Sequence, residues 1–224
     1  HATAAEIKQR GKEVLFVGGT SLYLKSLLRG LYTGPPPDWD FRKEVADEVE
    51  RVGIEALHQR LQQVDPLAAA KLHPNDQRRI IRALEVYKST GKPLSHSQTH
   101  FEEPRPASDC RVFVLQWPRD ELHRRIEARV ERMFAAGLVD EVSGLLEKYE
   151  SLSRTASQAV GYREVIAHLC EDKSLDETIE QVKIRTRRFA RRQETWFRGL
   201  SECRPITMST ETSSEEIAEQ IVAR

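Results

Sequence analysis

The stretch KIRTRRFARRQETWFR, residues 183–198, holds seven Lys or Arg and one acid, in a chain whose 35 basic and 35 acidic residues otherwise cancel. Upstream, the sequence from Ser174 to Glu177 has the pattern of a capping box, and Gly199 downstream is a typical helix stop. Together these signals predict one helix from Leu175 to Arg198, which would be about 36 Å long at a rise of about 1.5 Å per residue.

This basic helix has two interpretations. In the first, the stripe of Phe189, Trp196 and Phe197 faces the core and the arginines are simply solvated. In the second, the arginines bind the phosphates of a nucleic acid. Within the helix, Glu194 is almost the only acidic residue that could pair with them at i,i+4 spacing. This imbalance favours the nucleic-acid interpretation.

Composition sets the protein class. The chain has 224 residues, of which 39% are hydrophobic and 31% charged, as in a globular protein with one core and a small insertion. No apolar run reaches about 18 residues and no signal peptide opens the chain, so we expect a cytoplasmic protein without a membrane contact. Cys110, Cys170 and Cys203 fit no zinc-binding spacing and are expected to be reduced thiols.

Three short apolar runs predict a parallel sheet. Residues 13–17 are expected to form a buried strand that ends in Gly18-Gly19-Thr20, after which helical spacing resumes at Ser21. Residues 111–117 predict a second strand, and residues 205–208 a last, short edge strand. The turn after the first strand favours an anion, because free N–H groups point out of it; a plain strand–helix turn is the alternative.

The rest of the chain is predicted to form helices. Pro35 to Pro37 form a stiff break, so residues 1–37 are assigned to the α/β core, 38–108 to a helical insertion and 109–224 to the remainder of the core with the basic helix. Helices are predicted over residues 40–60, 66–72 and 77–88. A longer helical stretch is predicted from 118 to about 149, with a break near Gly137. Two more helices are predicted, one after the turn at 159–163 and one at the acidic C-terminus.

The helix at 77–88 starts with a basic turn. Arg78, Arg79 and Arg82 lie in its first half, where positive charge opposes the helix dipole. We therefore expect an external phosphate partner for them.

Four motifs, at residues 17–23, 73–85, 159–163 and 191–198, occur in an order and spacing that resemble bacterial tRNA dimethylallyltransferases, also called tRNA isopentenyltransferases. The resemblance implies a P-loop NTPase-like parallel core with a helical insertion, mostly helical overall. It also implies transfer of a dimethylallyl group from dimethylallyl diphosphate to the N6 amine of the adenosine beside the anticodon. The implied partners are dimethylallyl diphosphate, a tRNA anticodon stem-loop and Mg²⁺, with no DNA; a monomer is expected.

The resemblance also implies roles for individual residues. The Thr20 hydroxyl would contact the target amine, and Arg163 would hold the diphosphate near Gly19, a task that suits a planar and permanently charged donor. The implied tRNA contacts are Arg42, Arg78, Arg79, Ile80, Ile81, Arg82, Val160, Gly161, Tyr162, Arg191, Arg192, Gln193, Thr195, Trp196 and Arg198. The base would be read flipped out of a loop.

One family feature is missing from the sequence. No G-x-x-x-x-G-K-[ST] loop occurs, and the family's general-base Asp belongs to the same N-terminal portion. Asp38, Asp40 and Asp109 do not lie in that context, and no metal ligand is assigned in this chain; the Mg²⁺ ligands are expected in the missing portion and on the diphosphate. We expect a fragment that alone binds tRNA weakly and transfers nothing.

Three other functions fit parts of the sequence. An adenylate isopentenyltransferase would share the Gly-Gly-Thr region but modify a free nucleotide. A non-catalytic RNA-binding module would explain the absence of a P-loop. A P-loop kinase relative would explain the core, but it would leave the arginines of residues 78–82 and 183–198 without a purpose.

Overall fold

A computed structural model describes residues 1–97, 104–171 and 173–223. The chain divides into two compact units, His1–Ser21 with Pro106–Arg224 and Leu22–Arg105. The sequence placed these boundaries at 37 and 108. In the structure the proline segment is hydrogen-bonded within the second unit, since Arg82 Nη2 donates to the Pro35 carbonyl at 3.0 Å.

The second unit consists of helices. They are α2 (Ser21–Arg29, which begins at the unit boundary), α3 (Trp39–Val52), α4 (Ile54–Val64), α5 (Pro66–Lys71), α6 (Gln77–Thr90) and α7 (Leu94–Ser97). The single helix predicted over residues 40–60 is wrong, because Gly53 adopts a φ of 84°, which residues with a Cβ rarely adopt, and separates α3 from α4. The helices at 66–72 and 77–88 are confirmed as α5 and α6.

Side-chain caps explain where these helices begin. The carboxylates of Asp38, Asp65 and Asp76 accept hydrogen bonds from the first turns of α3, α5 and α6. Behind these caps lies one apolar core, made of Phe41, Val45, Leu57, Leu61, Ala69, Ile80, Ile81, Ala83 and Leu84. Apolar residues spaced three and four apart on α3, α4 and α6 therefore face one another.

The first unit combines helices with two strands. Its elements are α1 (Ala2–Gln9), β1 (Val112–Gln116), α8 (Arg119–Ala135), α9 (Leu138–Lys148), α10 (Arg154–Ser157), α11 (Tyr162–Cys170), α12 (Leu175–Arg198), β2 (Cys203–Thr207) and α13 (Ser214–Val222), with a 3₁₀ turn at Ala107–Asp109. The predicted break at Gly137 is confirmed, as are the helix after residues 159–163 and the C-terminal helix.

The basic helix, α12, has the predicted bounds. The Ser174 hydroxyl accepts from the Glu177 backbone N at 3.2 Å, and the Glu177 carboxylate accepts from the Ser174 backbone N at 3.1 Å. The helix packs on α8 through a cluster that contains Ile126, Val130 and Val182. A second cluster, of Leu138, Val142 and Val165, joins α9 to α11.

The sheet is small and parallel. Among the described residues it contains β1 and β2, in register from Val112 opposite Cys203 to Gln116 opposite Thr207. Ile206, Met208 and Ile217 pack on one side of it. The strands at 111–117 and 205–208 are thus confirmed, each within a residue or two.

The strand predicted over residues 13–17 is wrong. These residues have no regular secondary structure, and Leu15 and Val17 are 82% and 88% exposed. A buried strand needs hydrogen-bonding neighbours on its edges, and no segment of the described chain pairs with this one. The helix that should follow the Gly-Gly-Thr turn is present as α2.

Within the described residues, no helix combines the length and the apolar character that crossing a bilayer requires.

Candidate active site and nucleic-acid interface

The Gly-Gly-Thr turn is tied to the basic helix by one hydrogen bond. Gln193 Nε2 donates to the Gly19 carbonyl at 2.7 Å. A Cβ at Gly19 would lie 2.5 Å from that nitrogen, so a side chain at this position would displace the Gln193 amide. Thr20 is exposed just beyond this contact, with its hydroxyl at the start of α2. The resemblance implies that Gln193 contacts the tRNA, but one of its amide N–H groups already donates to the turn.

The turn before α11 is held by a buried carboxylate. Gly161 has a φ of 100°, which favours glycine, and its N–H donates to Glu164 Oε2 at 2.7 Å. The other Glu164 oxygen forms an ion pair with Arg185 Nη1 at 2.6 Å. Through Glu164, the 159–163 motif is joined to the basic helix, although neither sequence motif includes this residue.

The neighbours of Gly161 differ in their surroundings. Arg163 is exposed on the first turn of α11 and forms no ion pair with any described residue. Val160 is 41% exposed. The Tyr162 hydroxyl donates to the Glu141 carboxylate, and this hydrogen bond raises the pKa of Tyr162. Arg163 is therefore available for an anion, whereas Tyr162 already has a partner within the fold.

The basic side chains in the first half of the basic helix form ion pairs with carboxylates. Lys183 Nζ lies 2.9 Å from Glu131 and 3.0 Å from Glu180, and these hydrogen bonds raise the pKa of Lys183. Arg187 pairs with Glu127, and Arg185 with Glu164 as above. The expectation that the helix lacks acidic partners is wrong here. Glu127 and Glu131 come from α8 and Glu164 from α11, all far away in the sequence, and Glu180 lies on the same helix, three residues before Lys183.

The second half of the basic helix, residues 188–198, is different. Arg188, Arg191, Arg192 and Arg198 are exposed, and none forms an ion pair with a described residue. Four guanidinium groups on about three turns of helix form a concentrated positive surface, which attracts phosphates. We call these four residues the arginine surface.

Aromatic rings lie beside the arginine surface. Phe189 is 46% exposed, with Arg192 Cζ 5.8 Å from its ring centroid, and Trp196 is 38% exposed. The interpretation in which the stripe faces the core therefore does not hold for Phe189 and Trp196, whereas the adjacent Ala190 does pack against the cluster shared with α8. The Thr195 hydroxyl donates to the Arg191 carbonyl on its own helix.

In the second unit, Glu85 organises the predicted arginines. It is completely buried and accepts from Arg42 Nε at 2.8 Å, Arg42 Nη2 at 2.9 Å and the Asp38 backbone N at 2.8 Å. Arg82 Nη1 is a further donor. Burial alone raises the pKa of Glu85, but these hydrogen bonds outweigh it and lower that pKa from 4.5 to about 2.

The other residues at the start of α6 fall into two groups. Arg78 is exposed and unpaired within the described chain, and Arg79 lies 3.4 Å from Asp76 in an exposed pair. Ile80 and Ile81 are core residues. Their side chains hold α6 in place, which leaves direct contact with a polar ligand to the arginines beside them.

The described residues do not build a metal site. Over residues 1–97, 104–171 and 173–223, no three His, Cys, Asp or Glu side chains lie close enough together to hold a metal ion.

Comparison with known proteins identifies the family. The family model described as IPP transferase matches residues 1–200. The chain belongs to the IPP transferase family. The family expected from the four motifs is thereby confirmed.

The relatives of this chain share one name. The tRNA dimethylallyltransferase of Rhodopirellula baltica is 49% identical over 97% of the chain, and that of Geobacter sulfurreducens is 51% identical over 86% of the chain. The chain spans 65% and 62% of the length of these two proteins.

Solved structures of IPP transferases share the fold. The full-length tRNA isopentenylpyrophosphate transferase of Bacillus halodurans is 34% identical, with a TM-score of 0.63 over 99% of this chain and 69% of its own. A eukaryotic dimethylallyltransferase acting on tRNA is 26% identical, with a TM-score of 0.70 over 97% of this chain and 57% of its own. The mostly helical fold with a small parallel sheet that this chain adopts is therefore similar to these solved structures over the part that it matches.

Proposed function

We propose that this IPP transferase, in its complete form, transfers a dimethylallyl group from dimethylallyl diphosphate to the N6 amine of the adenosine beside the anticodon of tRNA. One observation supports this proposal above the others. The Gln193–Gly19 hydrogen bond joins a turn with an exposed hydroxyl to the half of the basic helix that carries the arginine surface. A nucleophile-contacting group and a phosphate-binding surface thus belong to one connected set of residues.

The chemistry needs few groups from this chain. The amine nitrogen forms a bond to the allylic carbon, the carbon–oxygen bond to the diphosphate breaks, and the amine loses a proton to a base. Thr20 would hydrogen-bond the amine and orient its lone pair toward the allylic carbon. Arg163, exposed and without an ion-pair partner among the described residues, would neutralise charge on the departing diphosphate.

Mg²⁺ is part of the proposal only as a companion of the diphosphate. Since the described residues offer no group of ligands for it, its ligands would be diphosphate oxygens and residues outside this stretch. No catalytic step is assigned to the ion. We further propose a P-loop NTPase-like core, of which β1 and β2 would be two parallel strands, in a monomeric cytoplasmic enzyme.

The acceptor decides between the proposed function and its nearest alternative. A free nucleotide carries too little phosphate to occupy the arginine surface, whereas an anticodon arm carries a continuous backbone. The complete protein should be incubated with dimethylallyl diphosphate and equal concentrations of tRNA and AMP, and both acceptors analysed by mass spectrometry. We expect the added mass on tRNA only. Added mass on AMP would indicate an adenylate isopentenyltransferase, and RNA binding without any product would indicate a binding module.

A further inference from the structure

The first residue of α3 is an exposed tryptophan. Trp39 is 64% exposed, and Arg42 Cζ lies 5.0 Å from its ring centroid. A tryptophan presented to water at a helix start contributes little to the core behind it, so its apolar ring is available to a ligand. The family resemblance gives a role to Arg42 but none to Trp39.

The arginine under this ring is held in place. Arg42 uses Nε and Nη2 for the two oxygens of buried Glu85, at 2.8 and 2.9 Å. A guanidinium held by two parallel hydrogen bonds has lost most of its side-chain freedom, and Nη1 remains outside both bonds. The Trp39–Arg42 pair is therefore a preformed flat surface, which a ligand can occupy without first ordering it.

The charges around the pair nearly cancel. Arg42, Arg82 and Lys88 are balanced by Glu85, Asp38 and Asp40. Asp38 is occupied as the α3 cap, accepting from the Phe41 backbone N at 2.9 Å, and lies 3.4 Å from Lys88 Nζ. Asp40 is exposed beside Trp39. Attraction for phosphate is therefore weak at this place, and stacking is the interaction that it offers.

The surroundings also suit a single ring rather than a protein partner. Protein interfaces place an exposed tryptophan at the centre of an apolar patch that excludes water. The exposed neighbours of Trp39 on α3 are instead Asp40, Lys43 and Glu44, all of them charged. A nucleobase needs only one flat apolar face and tolerates polar groups at its edges, and aromatic or guanidinium planes are the usual surfaces on which unpaired RNA bases stack.

We propose that Trp39 and Arg42 form a stacking platform for one unpaired base of the RNA substrate. This inference rests on the proposed function, because it assigns the platform to the same tRNA. It adds a stacking residue, Trp39, to a unit where no aromatic contact was expected.

The test uses the complete protein and a synthetic anticodon stem-loop RNA with 2-aminopurine placed at each loop position in turn. Stacking on an indole quenches 2-aminopurine, so wild-type protein should quench one position most strongly. Trp39→Ala should abolish that quenching and weaken RNA binding by about ten-fold, the effect of one base–aromatic stack. Trp39→Phe should retain most of both. The salt dependence of affinity should not change, because no phosphate contact is lost.

A matched control is Tyr149→Ala in the first unit. Tyr149 is 48% exposed with Lys148 Nζ 5.4 Å from its ring centroid, so it is a similar aromatic–cation pair without an assigned role. The Tyr149→Ala variant should have wild-type RNA affinity and wild-type quenching of 2-aminopurine.

Three results would overturn the platform: wild-type affinity in Trp39→Ala, weaker binding with unchanged quenching, or an equal loss in Tyr149→Ala. If Trp39→Ala does not fold, Trp39→Leu keeps apolar bulk without a π face and must lose the quenching; retained quenching contradicts the proposal. Wild-type protein that binds no RNA would instead refute the proposed function.

Discussion

Glu85 is the residue on which the helical unit depends most. It is fully buried and neutralises the guanidinium groups of Arg42 and Arg82. Without its charge, the two arginines would be left close together and partly shielded from water, which is costly. The same residue also binds the Asp38 backbone N, so it fixes the proline segment before α3.

Replacing Glu85 by Gln should lower the free energy of unfolding at neutral pH by about 3 kcal/mol. Because the folded-state pKa is lowered from 4.5 to about 2, the stabilisation is fully present above pH 4.5 and is lost as the pH falls toward 2. Urea unfolding of wild type and variant should therefore differ most above pH 4.5 and converge in acid.

Glu48→Gln is the control for this prediction. The Arg60–Glu48 pair is exposed at 3.2 Å, so its loss should cost less than about 1 kcal/mol. Equal effects of the two substitutions, or a Glu85→Gln deficit that grows in acid, would contradict the role given to Glu85.

Thr20→Val in the complete enzyme should slow prenyl transfer by about ten-fold, the contribution of one hydrogen bond, while tRNA affinity stays nearly unchanged. The residue is exposed, so the fold does not depend on its hydroxyl. Single-turnover rates and equilibrium tRNA binding separate the two effects, with Ser21→Ala as the neighbouring control. A large loss of affinity would mean that the hydroxyl holds the turn rather than the amine.

At this scale, local contacts could be predicted and distant ones could not. The Ser174 capping box and the Asp76 cap involve residues three apart, so the sequence pattern contains them. Glu164, the partner of Arg185, and Glu131, one of the two partners of Lys183, lie on other helices, and only packing decides which carboxylates meet these basic residues. The roles of Glu85 and Glu164 were missed for the same reason. Their one visible signal in the sequence was an arginine close by, Arg82 before Glu85 and Arg163 before Glu164.

The basic helix is one element whose two halves have different surroundings. Its first half is bound to the fold through ion pairs with α8 and α11, and its second half carries the arginine surface. The helix can be divided in this way because it is long: its 24 residues continue beyond the apolar residues that pack on α8. The helix is thus both a structural support and the expected RNA contact.

Replacing Arg191 and Arg192 together by Ala should weaken tRNA binding and reduce the slope of log affinity against log salt by about two, because each phosphate contact contributes about one unit. Lys183→Ala is the control. Lys183 is only 12% exposed and is already paired with two carboxylates, so its loss should leave the slope unchanged. A double variant with the wild-type slope would show that the arginine surface is merely solvated.

Helices were easier to predict than strands. Helix α12 has caps within its own sequence, whereas the run at residues 13–17 has strand composition but no neighbour in the described chain, and a strand is defined by its neighbours. The break between α3 and α4 followed from a single glycine, Gly53, whose conformation the surrounding helical spacing concealed.

On the scale of the molecule, the chain contains two compact units, and family membership covers almost all of it. Residues 1–224 contain the turn, Arg163 and the arginine surface, but no P-loop sequence and no group of metal ligands among the described residues. For the proposed transfer, we therefore expect that neutralising the charge of the diphosphate needs further residues.

Residues 1–224, purified alone, should bind tRNA weakly and transfer no dimethylallyl group. The measurement is incorporation of label from dimethylallyl diphosphate, with the complete protein as the positive control. Any transfer by the purified chain above background would show that diphosphate departure does not need further residues.

The position of the product on tRNA tests the whole account most directly. After reaction of the complete protein with dimethylallyl diphosphate, tRNA would be digested to oligonucleotides and nucleosides and analysed by mass spectrometry. We predict a single modified nucleoside, N6-dimethylallyladenosine, at the position next to the anticodon. Modification of adenosines scattered along the tRNA, or of none, would contradict the claim that this chain holds an anticodon arm for prenyl transfer.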